Sequence, residues 1–536
     1  MPQRKQPITT AAQVRSELFE RMPVVTTVWS VSGTDIGFFT DFGHTFQVGG
    51  FAIVTTRGGA RLLVQIHDLH ITEREGIRVD VAVDELGPAS SSVLRSANVG
   101  VNIRHLAGAG LVLAEITPDG LRPAPKAGFD EGLIEPVEAD RAMAGVVTQF
   151  LHDGLGSSVG LKVGRIGGMQ ASAALRASGF SRHTFMVGQS GSGKTYSLGL
   201  LLERMLVDTS LPMLIIDPNS DHIHLGTLRP RAQIAPRGGK PMSAAAYTEL
   251  KAKMAAAGEV VVAQAGSATL PLRIHVSDLS LAEQALTLGL SPLRDRDEYG
   301  AFIDVLDELQ ALPRYGFDRV TEMLAGRTDD ASAQLVRRID NLRIAQWSVW
   351  ARTDEPSLIE RVTGKRVTVL DTGSLGDARE RSVVALAAMG VLHRRAQRSP
   401  VLLVVDEAHN VLAPDADTEL QQAVTDHGVW IAGEGRKYGV HLLVSTQRPQ
   451  KIHRNVISQC DNLVLMRMNS QADVAEIATI FSHVPASMIA AATSFEQGEM
   501  LVGGPIAAPA IRVRTGARWC PEGGADLPTT WASSTR

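Results

Sequence analysis

Phe185-Met186-Val187-Gly188-Gln189-Ser190-Gly191-Ser192-Gly193-Lys194-Thr195-Tyr196 is the stretch that decides the fold. An apolar triplet leads into a glycine-rich loop. Leu198, Leu200, Leu201, Leu202, Met205 and Leu206 then follow with helical periodicity. The order is strand, loop, helix, and Gly188 through Thr195 fits G-x-x-x-x-G-K-[ST], the phosphate-binding P-loop. Its glycines let backbone N–H groups turn toward phosphate oxygens, and the helix start adds partial positive charge. Lys194 can reach the β- and γ-phosphates, the Thr195 hydroxyl can hold Mg²⁺, and Tyr196 continues the cradle. The chemistry implied is binding of a nucleotide with Mg²⁺.

A second motif lies about two hundred residues downstream. Val401-Leu402-Leu403-Val404-Val405 is a continuous apolar run, as expected of a strand buried on both faces, and it ends in Asp406-Glu407. Asp406 suits a magnesium ligand, while Glu407 suits the base that deprotonates an attacking water. Gly435-Arg436-Lys437-Tyr438-Gly439 leads into the strand His441–Ser445, which runs on to Thr446-Gln447-Arg448-Pro449. Gln447, at the strand's end, is the candidate γ-phosphate sensor. Arg436 stands at the strand's other end, away from its own chain's phosphates; it reads either as reaching a neighbouring copy's phosphates or as a surface salt bridge.

Two further clusters have open readings. Asp217-Pro218-Asn219-Ser220-Asp221 ends the strand Leu211–Ile216, on the ligand edge of a parallel sheet. It reads equally as help for Mg²⁺ or water and as a turn cap. Arg229, Arg231, Arg237 and Lys240 fall in a stretch, His222 to Thr248, with no acidic residue. They read as a phosphate-backbone contact for nucleic acid or as an ordinary solvated loop.

The 536 residues suffice for two to four domains. Lys+Arg 53 against Asp+Glu 57 gives −4, so contact with a polyanion needs a local patch. Cys460 and Cys520 are the only cysteines, too few for a disulfide framework or a zinc cluster, which fits a reducing compartment. No apolar stretch has membrane-spanning length, and no signal-peptide core opens the chain; the expectation is a cytoplasmic protein without membrane association. Residues 1–22 read as a tail with a short helix, Ala11–Glu20. Residues 23–150 carry short strands at Val24–Val31, Ile36–Phe39, Phe51–Thr56, Arg61–His67 and Leu111–Ile116, suggesting a small barrel or sandwich. The six glycines of Gly154–Gly168 suggest a linker or a hinge. An α/β ATPase domain is expected over residues 165–515. It carries a helical insertion at about 280–350, and a loose tail follows from 516 to 536.

Arg182-His183-Thr184 with the P-loop, the Val401–His409 run and Gly435–Pro449 together resemble the HerA branch of the HerA/FtsK motor ATPases. The β region resembles the small barrel shared by HerA and ATP synthase subunits. The resemblance implies a RecA-like core, a homohexameric ring, and ATP-driven translocation or unwinding of double-stranded DNA. It also implies a nuclease or other effector partner in DNA end processing or phage defence. Arg436 becomes an arginine finger supplied in trans, and Arg182 an additional phosphate contact. Relatives often carry a His-Gly-Glu-type run where this chain has Asn219-Ser220-Asp221, which leaves the role of Asp221 open. The alternative is a hexameric scaffold that ATP switches to activate a bound nuclease or effector without processive movement.

Overall fold

The computed structural model describes residues 10–20, 24–86, 92–137, 141–169, 171–236, 238–362, 364–394 and 399–524. The chain divides into two compact units, Met1–Asp153 with Gly168–Ala171, and Gly154–Gly167 with Ser172–Arg536. The helix Ala11–Glu20 forms as its sequence predicts and buries none of its residues.

Among the described residues the first unit is built on seven strands: β1 (Thr27–Ser32), β2 (Asp35–Thr40), β3 (Phe51–Thr56), β4 (Arg61–Leu86), β5 (Ser92–Thr117), β6 (Gly120–Pro123) and β7 (Gly132–Pro136). They run in the order β2-β1-β7-β3-β4-β5-β6, and β2 pairs again with β5. That second pairing closes six strands into a barrel and leaves β6 outside the closure. Alternation along each strand fills the interior: Ala52 and Val54 from β3, Leu62, Val64 and Ile66 from β4, and Ile36 and Phe38 from β2. Gly108 on β5 makes room for one of these side chains, since a Cβ there would stand 2.3 Å from the Phe38 ring. β4 and β5 stay paired far past the barrel wall, out to Leu86 opposite Ser92. The sequence pattern ends β4 near His67 and begins β5 near Leu111. Charged residues such as Glu73, Arg74 and Asp80 interrupt the apolar texture there, and a two-stranded ribbon open to water does not need that texture.

The second unit carries an eleven-stranded sheet. Its strands are β8 (Gly160–Ile166), β9 (Ser172–Arg176), β10 (His183–Val187), β11 (Met213–Asp217), β12 (Val260–Gln264), β13 (Val367–Asp371), β14 (Val401–Val405), β15 (Val440–Thr446), β16 (Cys460–Met466), β17 (Glu499–Gly504) and β18 (Ala507–Thr515). The order is β12-β13-β11-β14-β15-β10-β16-β17-β18-β8-β9. Pairings from β12 to β16 are parallel, and those beyond are antiparallel. Every residue of β10, β13 and β14 is buried; β14 is apolar throughout, as a strand covered on both faces should be, while β10 and β13 also bury His183, Thr184, Thr368 and Asp371. One strand, β15, separates the P-loop strand β10 from the carboxylate strand β14. This is the RecA-like arrangement the sequence predicts.

The helical insertion forms between β12 and β13, as Leu281–Thr287, Arg296–Leu309, Phe317–Ala325 and Asp330–Leu342. Ser280 and Glu283 make the expected capping box. Phe302, Val305, Leu306 and Leu309 are buried along one helix face, and Leu335 and Ile339 along another.

Two expectations need correcting. The glycine-rich run is not only a linker, because Gly160–Ile166 is a strand of the ATPase sheet paired with β9 and β18. Nor is the chain loose from Arg518: Arg518 is 1% exposed and Cys520 is fully buried. Polar, glycine-rich composition reads as a tail, but a buried carboxylate on the P-loop helix, that of Glu203, accepts the Trp519 and Cys520 N–H groups at 2.7 Å each. Among the described residues no helix is long and apolar enough to cross a membrane.

Gly108→Ala should destabilise the barrel unit by about 1–3 kcal/mol through overpacking, and Phe38→Leu in the same chain should recover part of that loss. Urea unfolding of the single and double variants measures the coupling. Additive losses would show that Gly108 is not there for Phe38.

Candidate functional site

The P-loop starts where β10 ends. The Gly188 N–H donates to the Thr446 carbonyl at 3.3 Å and the Gln189 N–H to that of Arg467 at 3.0 Å, so the loop is tied to both flanking strands. Gly191 and Gly193 adopt φ of +74° and +91°, a region that favours glycine. Gly193 caps the helix Lys194–Asp208 without a side-chain hydrogen bond, leaving the first-turn N–H groups for an anion.

Lys194 is 4% exposed. Its Nζ lies 2.9 Å from Glu407 Oε1, 3.2 Å from Asp406 Oδ1 and 3.2 Å from Ser445 Oγ. Burial alone would lower the lysine's pKa, but the two carboxylates raise it above its ordinary value. Burial likewise pushes the Asp406 carboxyl up, and Lys194 with His222 overrides it, holding the acid ionised. Glu407 sits in the left-handed region at φ 41°, a strained conformation for this residue type. Its Oε1 accepts from Gln447 Nε2 at 2.7 Å, and its Oε2 has no hydrogen-bond donor among the described residues, although His409 Nδ1 stands 3.3 Å away. A carboxylate oriented by an amide and keeping a free oxygen is suited to accept a proton from water.

On the other side of Asp406, His222 is fully buried with Nε2 3.3 Å from Oδ2. Asp217 accepts the N–H groups of Asn219, Asp221 and His222 at 3.3, 3.1 and 2.8 Å, so it does cap a turn. One carboxylate oxygen each from Asp217, Asp221 and Asp406 also lie within 4.8 Å of one another. Burial, then the Asp406 charge, push Asp221 up to about 6. Three converging oxygens beside a P-loop threonine form a hard donor set that fits Mg²⁺.

Lys194, Asp221 and Gln447 border a cleft of about 840 Å³, with Asp406 and Glu407 buried behind Lys194. Gln189, Ser190, Gly191, Gly193, Lys194, Thr195, Tyr196 and Gln447 line it, together with Asp221 and Arg229. Gly188 and Ser192 stand behind the surface as framework. A Cβ on Gly188 would meet Met466 at 2.7 Å, and Ser192 is buried. Most of the site residues expected from the sequence therefore come together.

Others do not. Arg182 precedes β10 and Arg436 precedes β15, so both lie at the strand starts, whereas the P-loop and Gln447 lie at the strand ends. Five residues of parallel strand separate the two edges by about 16 Å. Arg182 therefore cannot be a contact to its own chain's nucleotide. Both guanidiniums pair with the Asp461 carboxylate, at 3.5 Å for Arg182 and 3.3 Å for Arg436. The basic loop is also divided. Arg229 donates to the Cys520 carbonyl at 3.0 Å and faces the cleft, while Arg231 donates to the Met242 carbonyl at 3.0 Å and, like Lys240, is exposed. Arg237 lies outside the described residues.

Sequence reasoning missed His222, His409, Ser445 and the C-terminal wall of the cleft. Position marks His409, two residues after Glu407, and Ser445, near the end of β15, whereas His222 is marked only by the Asp406 carboxylate that the fold brings beside it. Nothing in the sequence marks the wall, since its anchor on Glu203 is visible only in three dimensions.

The family model for the central domain of helicase HerA matches residues 161–388. The DNA double-strand break repair helicase HerA of Sulfurisphaera tokodaii is 22% identical over 369 residues, covering 66% of this chain and 68% of the relative. That of Pyrococcus furiosus is 20% identical over 372 residues, covering 62% and 64%. The relative of the same name from Sulfolobus acidocaldarius is 25% identical over 167 residues, 29% of this chain and 32% of its own length. Among solved structures, VirB4 of Thermoanaerobacter pseudethanolicus is 17% identical, covers 67% of this chain and 96% of its own, and has a TM-score of 0.43. Taken with the P-loop geometry, the order of the parallel strands and the paired carboxylates at the end of β14, the matches make the chain similar to HerA over its central region and support a HerA-like P-loop ATPase.

Proposed function

We propose that this chain is an ATP-driven motor on double-stranded DNA that works as a ring of identical subunits, six by family resemblance. The observation that carries the reading is the buried Lys194–Glu407–Gln447 constellation beside the P-loop cleft. In this reading Lys194 and the first-turn N–H groups bind the triphosphate. Gln447 holds Glu407 by its amide, and the free Glu407 oxygen takes the proton of the attacking water. Mg²⁺, held by Thr195 and Asp406 with Asp221 and Asp217 nearby, would supply charge neutralisation at the β- and γ-oxygens. His222 fixes one Asp406 oxygen, leaving the carboxylate a single orientation.

The arginines at the far edge of the sheet support a site completed between subunits. They cannot serve their own cleft, and a head-to-tail ring brings one subunit's strand starts toward the next one's strand ends. An arginine finger is worth about 10³–10⁵ in rate in such enzymes. Arg231 and Lys240 are the exposed cations of the basic loop and, with Arg237, the proposed contacts to DNA phosphates. A nuclease or other effector partner and a cytoplasmic location complete the proposal.

The reading is tested by the ATPase rate with and without a DNA duplex, and with and without a protein block on the duplex. A motor is stimulated by free duplex and slowed by the block. A switch that merely senses DNA is indifferent to the block. Within the site, Lys194→Ala should abolish detectable ATP binding, and normal binding by equilibrium dialysis would reject the cradle. Glu407→Gln should keep binding and lose about 10²–10⁴ in turnover, the usual worth of a general base. Parental multiple-turnover rates would remove Glu407 from the chemistry. Replacing Arg231 and Lys240 with glutamine should flatten the salt dependence of DNA binding by about 0.9 in log–log slope for each phosphate no longer neutralised. An unchanged slope would exclude the loop.

A further inference from the structure

Residues 516–524 form a built wall of the cleft. Pro521, Glu522 and Gly523 line it along with Lys194 and Thr195. Their anchor is the P-loop helix itself, where Glu203 accepts the Trp519 and Cys520 N–H groups. The Tyr196 hydroxyl accepts the Arg518 N–H at 2.7 Å and donates to the Gly516 carbonyl at 3.2 Å. The Arg204 guanidinium lies 3.2 Å from the centroid of the Trp519 ring.

Arg518 stands at the centre of this joint. Its Nη1 donates to the Thr195 carbonyl and its Nη2 to the Asp221 carbonyl, each at 3.4 Å. Glu203 lies 3.5 Å from its Nε and Glu522 3.4 Å from its Nη1, so the buried charge is balanced. The helix makes room for it with Gly199, where a Cβ would stand 2.3 Å from the guanidinium carbon. A second tie reaches the same loop, with the Gly523 N–H donating to the Asp221 carbonyl at 3.1 Å.

We propose that Arg518 is a positioning residue of the nucleotide site: one guanidinium grips the backbone of Thr195 and of Asp221, setting the threonine hydroxyl and the aspartate carboxylate for the same magnesium–triphosphate. The inference rests on the ATP and Mg²⁺ reading above and adds the element that aligns its two halves. Arginine is required because its planar fork spans two carbonyls, which a lysine ammonium does less well.

The test is binding of a fluorescent ATP analogue to the full-length chain, in excess Mg²⁺ and again in EDTA, with thermal unfolding as a check on folding. Arg518→Met should raise Kd in Mg²⁺ by about tenfold or more, the usual effect of losing an outer partner of a metal site, and change it by less than about threefold in EDTA. Arg518→Lys should recover part of the magnesium-dependent tightening. Equal losses in both conditions, or none in either, would overturn the proposal by reducing Arg518 to packing. If Arg518→Met does not fold, Gly523→Ala serves instead, because its Cβ would meet the Ser220 carbonyl oxygen at 1.7 Å and must displace the Asp221 loop. That variant should lose magnesium-dependent tightening too, and full retention would overturn the proposal. Failure of the parental protein to bind the analogue in either condition would instead reject the nucleotide site itself.

Discussion

A lysine ammonium with 4% of its surface exposed is tolerable only beside negative charge, and Lys194 has two carboxylates within 3.2 Å. Removing one partner of such a buried pair typically costs about 3–5 kcal/mol, so the site acts as a coupled unit. The coupling reaches further than the triad. Asp406 also faces His222 and the carboxylates of Asp221 and Asp217, so acidic groups outnumber the lysine. An excess of buried negative charge at a phosphate-binding loop makes chemical sense when a divalent cation enters with the phosphate. The strained backbone of Glu407 belongs to the same constraint, because it turns this side chain back toward Lys194 and Gln447 directly after a straight buried strand.

The sheet turns that local constraint into a division of labour. Parallel strands put all their C-terminal ends on one edge, where the P-loop, the carboxylates and Gln447 meet. The same geometry puts Arg182, Arg436 and Asp461 on the opposite edge. Burial, and then the Arg436 charge, push His183 down to about 4, so the ring stays neutral while its Nδ1 accepts the Leu442 N–H at 2.9 Å. That hydrogen bond holds β10 and β15 together beneath the arginines. In the proposed function, the two halves of a hydrolytic site lie on opposite edges of the sheet, and repetition around a ring would join them.

Much of this is legible in the residues. The P-loop, the apolar β14 run with its two carboxylates, and the helical stripe of Phe302–Leu309 each pair a local chemical signal with a matching periodicity, and each forms where that signal places it. What is not legible depends on distant partners. His222 is an unremarked histidine until β14 brings Asp406 beside it. The β4–β5 ribbon has no apolar alternation strong enough to extend the strands past Asp68. Arg518 lies in polar, glycine-rich sequence that reads as a tail, and only the Glu203 carboxylate, more than three hundred residues earlier, makes it interior. Arg182 reads with the P-loop because it is near in sequence, but a strand lies between them.

The central claim is that each cleft supplies Lys194 and Glu407 while the adjoining copy supplies Arg436. Mixing subunits tests it most directly. Glu407→Gln and Arg436→Ala proteins, each inactive alone, are combined under conditions that allow subunit exchange, and ATP turnover is followed. Recovery of activity in the mixture is predicted, because some boundaries then join an intact Glu407 from one copy to an intact Arg436 from the next. A mixture as inactive as its components, with exchange verified, would contradict the account.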